Sequence, residues 1–236
     1  MEILSSITKT LLCAPCALCG HRADPSIGLC AACFEALPRV GLSCHICGIP
    51  LSSVDPLQTA ICGECLKRPP PFARTIAPLR FESGVRHLIH RLKFSADFAA
   101  ARPLARVMAN AVAADVSRDD LPELLLPVPL HPSRLRERGY NQAGELASRL
   151  GKLLGIPVGH SHGERLRYTV EQSGLDAATR RRNIRGAFVF VKQLPPHVAI
   201  VDDVMTTGST VREVARVALR AGAKHIEVWC AARAGR

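Results

Sequence analysis

Two sets of residues in this sequence suit particular chemistry by their type and spacing. The first lies in HVAIVDDVMTTGSTVREV, residues 197–214. An apolar run, 198–201, ends in two carboxylates, Asp202 and Asp203. A short loop of hydroxyls around one glycine follows, Thr206, Thr207, Gly208, Ser209 and Thr210, and a helix pattern begins there. Loop N–H groups, hydroxyls and the positive end of a helix together suit a phosphate. The carboxylates would repel that phosphate; they suit sugar hydroxyls, or a metal held by the ligand. Phosphate donors beside ribose acceptors describe a ribose 5-phosphate site. A helix N-cap by Ser209 explains why a helix starts here, but it leaves both acids and the other hydroxyls without a purpose. The letters contain neither G-x-x-x-x-G-K-[ST] nor G-x-G-x-x-G, which excludes a P-loop and argues against a dinucleotide fold.

The second set is made of cysteines. Nine of the ten fall between Cys13 and Cys65, and four Cys-x-x-Cys pairs stand at Cys16/Cys19, Cys30/Cys33, Cys44/Cys47 and Cys62/Cys65. A knuckle of this spacing points two thiolates at one tetrahedral Zn²⁺. A disulfide framework is disfavoured, because the chain shows no secretion signal. Cys19 and Cys47 are each followed by glycine, and the alternation favours two zinc ribbons in series. In that reading Cys16, Cys19, Cys30 and Cys33 hold one structural ion, and Cys44, Cys47, Cys62 and Cys65 hold the other. A cross-braced pairing uses the same eight residues and stays open. His21 and His45 are near enough to be substitute ligands, but each cluster already has four thiols. Before the linker Phe34 is the sole aromatic residue, so stacking on bases has little to work with. A structural or docking role for the module is favoured over strand binding.

These sites need elements to position them. Pro69-Pro70-Pro71 resists both helix and central strand. The boundary is placed there, with a zinc-ribbon module at 1–71 and an α/β domain at 72–236. Beyond the boundary strand-like and helix-like patterns alternate, as in a parallel sheet flanked by helices. Strands are expected at 75–81, 124–128, 187–191, 197–202 and 226–231. Helices are expected at 84–94, 99–114, 142–154 and 211–220. Val85, Leu88, Ile89 and Leu92 form one stripe of the first. The carboxylates and the hydroxyl loop would then lie at the C-terminal edge of the sheet, where α/β folds bind ligands.

Charge points the same way. Residues 1–71 balance five basic against five acidic side chains, so the net +11 resides entirely in 72–236. That part is the expected anion binder. No apolar run approaches the roughly 18 residues that would span a bilayer, so no membrane insertion is expected. The start, MEILSSITKTLLCAPC, reads as a mature cytoplasmic terminus and not as a signal peptide.

Residues 198–210 resemble the PRPP-binding signature of type I phosphoribosyltransferases, where PRPP is 5-phosphoribosyl-1-pyrophosphate. Together with the double Cys module, PVPLHPSRLRERGYNQA (127–143), LIHRLKF (88–94) and EQSGLDAATRRRNIRGAF (171–188), the chain resembles the ComF family of competence-associated proteins, related to GntX-type proteins. The resemblance implies a type I phosphoribosyltransferase fold with a small hood at 74–97. It implies that Asp202 and Asp203 are the catalytic pair, contacting the ribose hydroxyls, and that Thr206 to Thr210 hold the 5′-phosphate. Pro129, Leu130 and His131 would receive pyrophosphate, with Arg134, Arg136 and Arg138 neutralising it. Gln172, Arg180 and Arg181 would belong to a loop that closes over the site. Magnesium would accompany PRPP, and the ribosyl group would pass to an acceptor the letters do not reveal. The alternative the family association implies is a non-catalytic competence factor that binds single-stranded DNA.

Overall fold

The computed structural model describes residues 14–53, 60–168 and 184–235. Two short helices, α1 (Ala31–Glu35) and α2 (Gly63–Lys67), belong to the cysteine-rich part. Next come β1 (Arg74–Ile76), β2 (Leu79–Arg80), α3 (Ser83–Phe94), α4 (Ala101–Asp115) and β3 (Leu124–Pro127). They are followed by α5 (Pro132–Arg138), α6 (Gln142–Leu154), β4 (Gly163–Arg165) and β5 (Phe188–Phe190). Last are β6 (His197–Met205), α7 (Ser209–Arg220) and β7 (His225–Arg233). The main sheet runs β1-β7-β6-β3 with β2 also on β7, and all of these pairs are parallel.

Alternation along the central strands builds two cores. Ala199, Val201, Trp229 and Ala231 face one layer, with the buried sides of α3, α4 and α6. Val198, Ile200, Val228 and Cys230 face the other, with Val211, Val214, Ala215 and Ala218 of α7. The expected stripe on α3 is the buried one: Val85, Leu88 and Leu92 are 0% exposed and Ile89 1%. The cysteine-rich part extends both cores. Cys16, Ala17, Ala23, Leu29 and Leu37 join the first, and Cys44, Cys47 and Cys65 join the second.

Three expected elements differ. The strand expected at 75–81 is split into β1 and β2. At the split the backbone turns to pair with the cysteine-rich part as well, with the Val40 N–H on the Pro78 carbonyl and the Arg80 N–H on the Pro38 carbonyl, both at 2.8 Å. The strand expected at 187–191 forms, but antiparallel to β4 in a separate two-stranded ribbon. The last helix starts at Ser209, after Gly208 in the left-handed region at φ +74°, so Ser209 is inside the helix and is not its cap.

β3 is one edge strand of the main sheet, and residues 156–159 lie along it. The Leu125 N–H donates to the Pro157 carbonyl at 2.9 Å, and the Gly159 N–H to the Leu125 carbonyl at 2.8 Å. Behind this segment stands Gly151 of α6; a Cβ there would come within 2.6 Å of the Ile156 carbonyl oxygen. Among the described residues no helix is long and apolar enough to cross a membrane.

Candidate functional site

The apolar run of β6 is fully buried from Val198 to Val201, so its carboxylates are carried to the C-terminal end of the central strand. Asp202 is partly exposed and Asp203 is 3% exposed. The two side chains share a peptide corner, with the Asp203 N–H donating to Asp202 Oδ1 at 2.9 Å. Lys93, at the end of α3, places Nζ 2.7 Å from Asp203 Oδ2, a pair held by charge more than by an aligned hydrogen bond. Burial, and then the charge of Asp203, push the Asp202 carboxyl well above the usual carboxylate range. Beneath them the Cys230 thiol is pushed up by burial and then by both aspartates, which makes it a poor nucleophile.

The hydroxyl loop follows at once. Thr206 and Thr207 are exposed, Thr207 Oγ1 and Ser209 Oγ are 2.9 Å apart, and Thr207 Oγ1 also accepts the Ser209 N–H at 3.4 Å. The first-turn amides of α7 are therefore adjacent to these hydroxyls. Thr210 is partly exposed in that first turn.

The turn after β3 leaves beside the carboxylates, since the Val128 N–H donates to the Val201 carbonyl at 2.9 Å. Pro129 and Leu130 lead to His131, whose Nδ1 accepts the Ser133 N–H at 3.2 Å and so caps α5. Arg134 stacks over Tyr168 at 5.6 Å, and the His131 ring meets the same Tyr168 edge-on at 5.4 Å. Arg136 is exposed on the far part of α5. Arg138 is committed to Gln142 Oε1 at 2.5 Å and to the face of Phe94 at 5.5 Å. The GYNQ corner is structural. The Tyr140 hydroxyl donates to the Leu92 carbonyl, and Asn141 Nδ2 holds the Val128 carbonyl at 3.0 Å. Gln172, Arg180 and Arg181 lie outside the described residues.

The eight expected thiols form two clusters in series. Cys16, Cys19, Cys30 and Cys33 make one, and Cys44, Cys47, Cys62 and Cys65 the other, with ligand atoms within 4.8 Å of one another in each. This arrangement excludes the cross-braced alternative. Cys19 and Cys30 Sγ are 3.6 Å apart, and Cys47 and Cys62 Sγ 3.7 Å, and none of these cysteines is in a disulfide. A tetrahedron with Zn–S bonds of about 2.3 Å needs about 3.8 Å between sulfurs, so both sites fit structural zinc. Burial pushes the Cys44 thiol up, yet the N–H groups of Cys47, Cys62 and Ile46 bring it down to about 7. Cys16 is likewise brought down to about 6 by the N–H groups around it. A thiolate ready near neutral pH in each cluster favours metal capture.

Sequence reasoning named no role for three residues that the fold brings to this edge. Lys93 pairs with Asp203, Tyr168 sits between His131 and Arg134, and Arg233 binds the loop from behind. A third group of metal-type side chains, His197, His225 and Glu227, lies at the opposite edge of the sheet. There Glu227 already accepts Arg74 Nη2 at 3.0 Å and Trp229 Nε1 at 2.8 Å, which commits both of its carboxylate oxygens to the fold.

Comparison with known proteins agrees with the metal centres. A family profile described as a double zinc ribbon domain matches residues 7–68. The DNA utilization protein YhgH of Salmonella typhimurium is 36% identical over 211 residues, covering 87% of this chain and 90% of that protein. Competence protein F of Haemophilus influenzae is 37% identical over 214 residues, covering 88% and 91%. Among solved structures, a purine phosphoribosyltransferase from Pyrococcus horikoshii aligns over 54% of this chain and 71% of its own, at 22% identity and a TM-score of 0.34. A likeness of that size carries no weight for the chemistry.

Proposed function

We propose that this chain, which belongs to the family of competence protein F and the DNA utilization protein YhgH, binds a ribose 5-phosphate ester at the C-terminal edge of its parallel sheet. One observation carries the reading. β6 delivers Asp202 and Asp203 to that edge, and the left-handed turn at Gly208 sets the hydroxyl loop and the start of α7 directly after them. Carboxylates accept hydrogen bonds from the 2′- and 3′-hydroxyls, while N–H groups and hydroxyls receive the 5′-phosphate. PRPP is the ester that would use the whole edge. Its pyrophosphate would lie toward Pro129, Leu130, His131 and Arg134. Magnesium would be held chiefly by the ligand's oxygens, with the partly exposed Asp202 as the nearest carboxylate.

In a transfer reaction the bond from the anomeric carbon to pyrophosphate breaks and a bond to an acceptor forms. The protein's part would be positioning and charge stabilisation. A calorimetric titration of Asp202→Asn/Asp203→Asn with Mg²⁺–PRPP tests the site: wild type should bind and the double variant should lose at least about 100-fold. Equal binding by both would refute the assignment. Screening acceptors for pyrophosphate release tests turnover. Hydroxyl recognition needs Asp202 ionised, and its pKa is raised, so affinity should fall as pH drops through a value above the ordinary carboxylate range.

A second reading, binding of single-stranded DNA, is favoured by one surface. Arg212, Arg216 and Arg220 recur every fourth residue along α7 and, with Arg185, line a cleft of about 480 Å³ that starts at Ser209. The helix rise spaces these three positions about 6 Å apart per step along the axis, a row suited to successive phosphates, with Arg216 also paired to Glu213 of the same cleft. Oligothymidine affinity should then fall steeply with salt, and Asp202→Asn/Asp203→Asn should leave it intact. A flat salt response would dispose of this reading.

A further inference from the structure

Arg233 ends β7 and is 4% exposed. Its donors fan out over carbonyl oxygens of separate segments. Nε donates to Cys47 at 2.9 Å, and Nη1 to Met205 at 2.8 Å and to Thr206 and Ala234. Cys47 is a ligand of the second metal cluster, while Met205 and Thr206 lead into the hydroxyl loop. The planar fork of a guanidinium can hold several acceptors in fixed directions at once, which a single ammonium does less well.

The knuckle on the other side of this tie is itself fastened to the sheet. The Thr75 N–H donates to the His45 carbonyl at 3.2 Å, and Thr75 Oγ1 to the Ile46 carbonyl at 2.7 Å. Three successive knuckle carbonyls, His45, Ile46 and Cys47, are thus held by the middle of β1 and the end of β7. At Gly48, φ is +66° and a Cβ would meet Thr75 Cγ2 at 3.1 Å, so the knuckle lies directly against the strand.

The tie acts on the loop through peptide geometry. A trans peptide points its C=O and N–H in opposite directions. Holding the Met205 and Thr206 oxygens inward on Arg233 therefore turns the N–H groups of Thr206 and Thr207 the other way, to the side open for a ligand. The guanidinium also leaves a buried positive charge behind the loop, which favours an anion in front of it.

We infer that Arg233 is a positioning residue that fastens the phosphate loop to the second zinc ribbon, so that zinc in that ribbon strengthens phosphate-ester binding and the ester retains the zinc. The inference rests on the reading of residues 206–210 as a phosphate loop. When the ion leaves, Cys47 is no longer fixed, the fork loses one arm, and the loop amides are freer to turn. Linkage makes the effect reciprocal: the factor by which zinc tightens ester binding is the factor by which the ester tightens zinc.

The test uses the full-length protein carrying both zinc ions and ribose 5-phosphate as the probe. Zinc release to a chromophoric chelator is followed with and without the ester, alongside calorimetric affinity. In wild type the ester should slow release of one ion and leave the other unchanged. In Arg233→Met affinity should fall at least about 10-fold and both ions should leave at rates independent of the ester. Arg233→Lys keeps charge and length and guards against a variant that fails to fold. Its affinity should fall less, but the protection of zinc should still be lost. Protection surviving in Arg233→Lys or Arg233→Met would overturn the inference. Failure of wild type to bind ribose 5-phosphate would instead refute the loop reading. The tie would then be judged by amide exchange at 205–208, which should speed up when the second ribbon loses its ion in Cys65→Ser and be fast already in Arg233→Met. Unchanged exchange would refute the tie.

Discussion

The first ribbon rests on helices, with its Ala17 carbonyl on Arg91 of α3 and its Pro25 carbonyl on Arg102 of α4. The second rests on the end of the sheet, with its knuckle on Thr75 and Arg233. Both present four cysteines at similar spacing, and each extends a different core. The same metal chemistry therefore serves two mechanical purposes, decided by the surface beneath the knuckle. One ribbon braces the helical layer over α3 and α4. The other walls the edge where the carboxylates and hydroxyl loop lie.

The largest test of this contrast removes a ligand from each ribbon. Cys65→Ser should cost one zinc per chain and weaken ribose 5-phosphate binding by about 30-fold or more, whereas Cys33→Ser should cost one zinc and leave affinity within about 3-fold. Metal analysis and titration decide it, and equal loss in both would break the contrast. Next in size, Leu29→Ala deletes a side chain of the first ribbon that is 0% exposed. It should cost about 2–5 kcal/mol in denaturant unfolding with ester affinity unchanged.

Smaller still, Thr75→Val removes the Oγ1 donor to Ile46. That should cost about 1 kcal/mol and weaken the ester by a few fold, which would sharpen the claim that the second knuckle supports the loop. Unchanged affinity would weaken it.

The smallest effect belongs to the opposite edge of the sheet. Burial pushes the His197 imidazole below its usual value. Burial raises Glu227 but Arg74 and Trp229 outweigh it, so its carboxyl is held low. Both groups bind fewer protons folded than unfolded, so the stability they add is present at neutral pH and lost on acidification. The loss begins below about 6.5 for His197 and below about 4.5 for Glu227. Urea unfolding from pH 7 to 5 should show a shallower decline in His197→Gln than in wild type; identical slopes would contradict this.

What the letters disclosed follows from the range of the interactions involved. The cysteine pairs and the strand–loop–helix at 197–214 are local patterns, and spacing alone exposes them. β4 was missed because Gly163-Glu164-Arg165 has no apolar alternation and pairs only with β5 across the chain. Pro132, in the first turn of α5, opens a helix over Pro132–Arg138 for which no element was expected, because the run is too short and too charged to show an apolar stripe. Lys93, Tyr168 and Arg233 carry no local signal, because each meets its partner from a distant segment. Arg233 reaches Cys47 across 186 positions, a relation that only the folded sheet creates. The split between β1 and β2 did carry a local signal, Pro78, which has no N–H to give to a ladder, while the contacts that hold the turn come from the cysteine-rich part.

The segment along β3 has a bearing on how the protein behaves in company. An outer strand with free N–H and C=O groups is a template for another chain, and aggregation often begins there. Here the backbone at Pro157 and Gly159 has already taken those bonds at Leu125, and it can lie so near α6 because position 151 lacks a side chain. Gly151→Val would push this cover away, and the uncapped ladder would recruit neighbours into oligomers and precipitate.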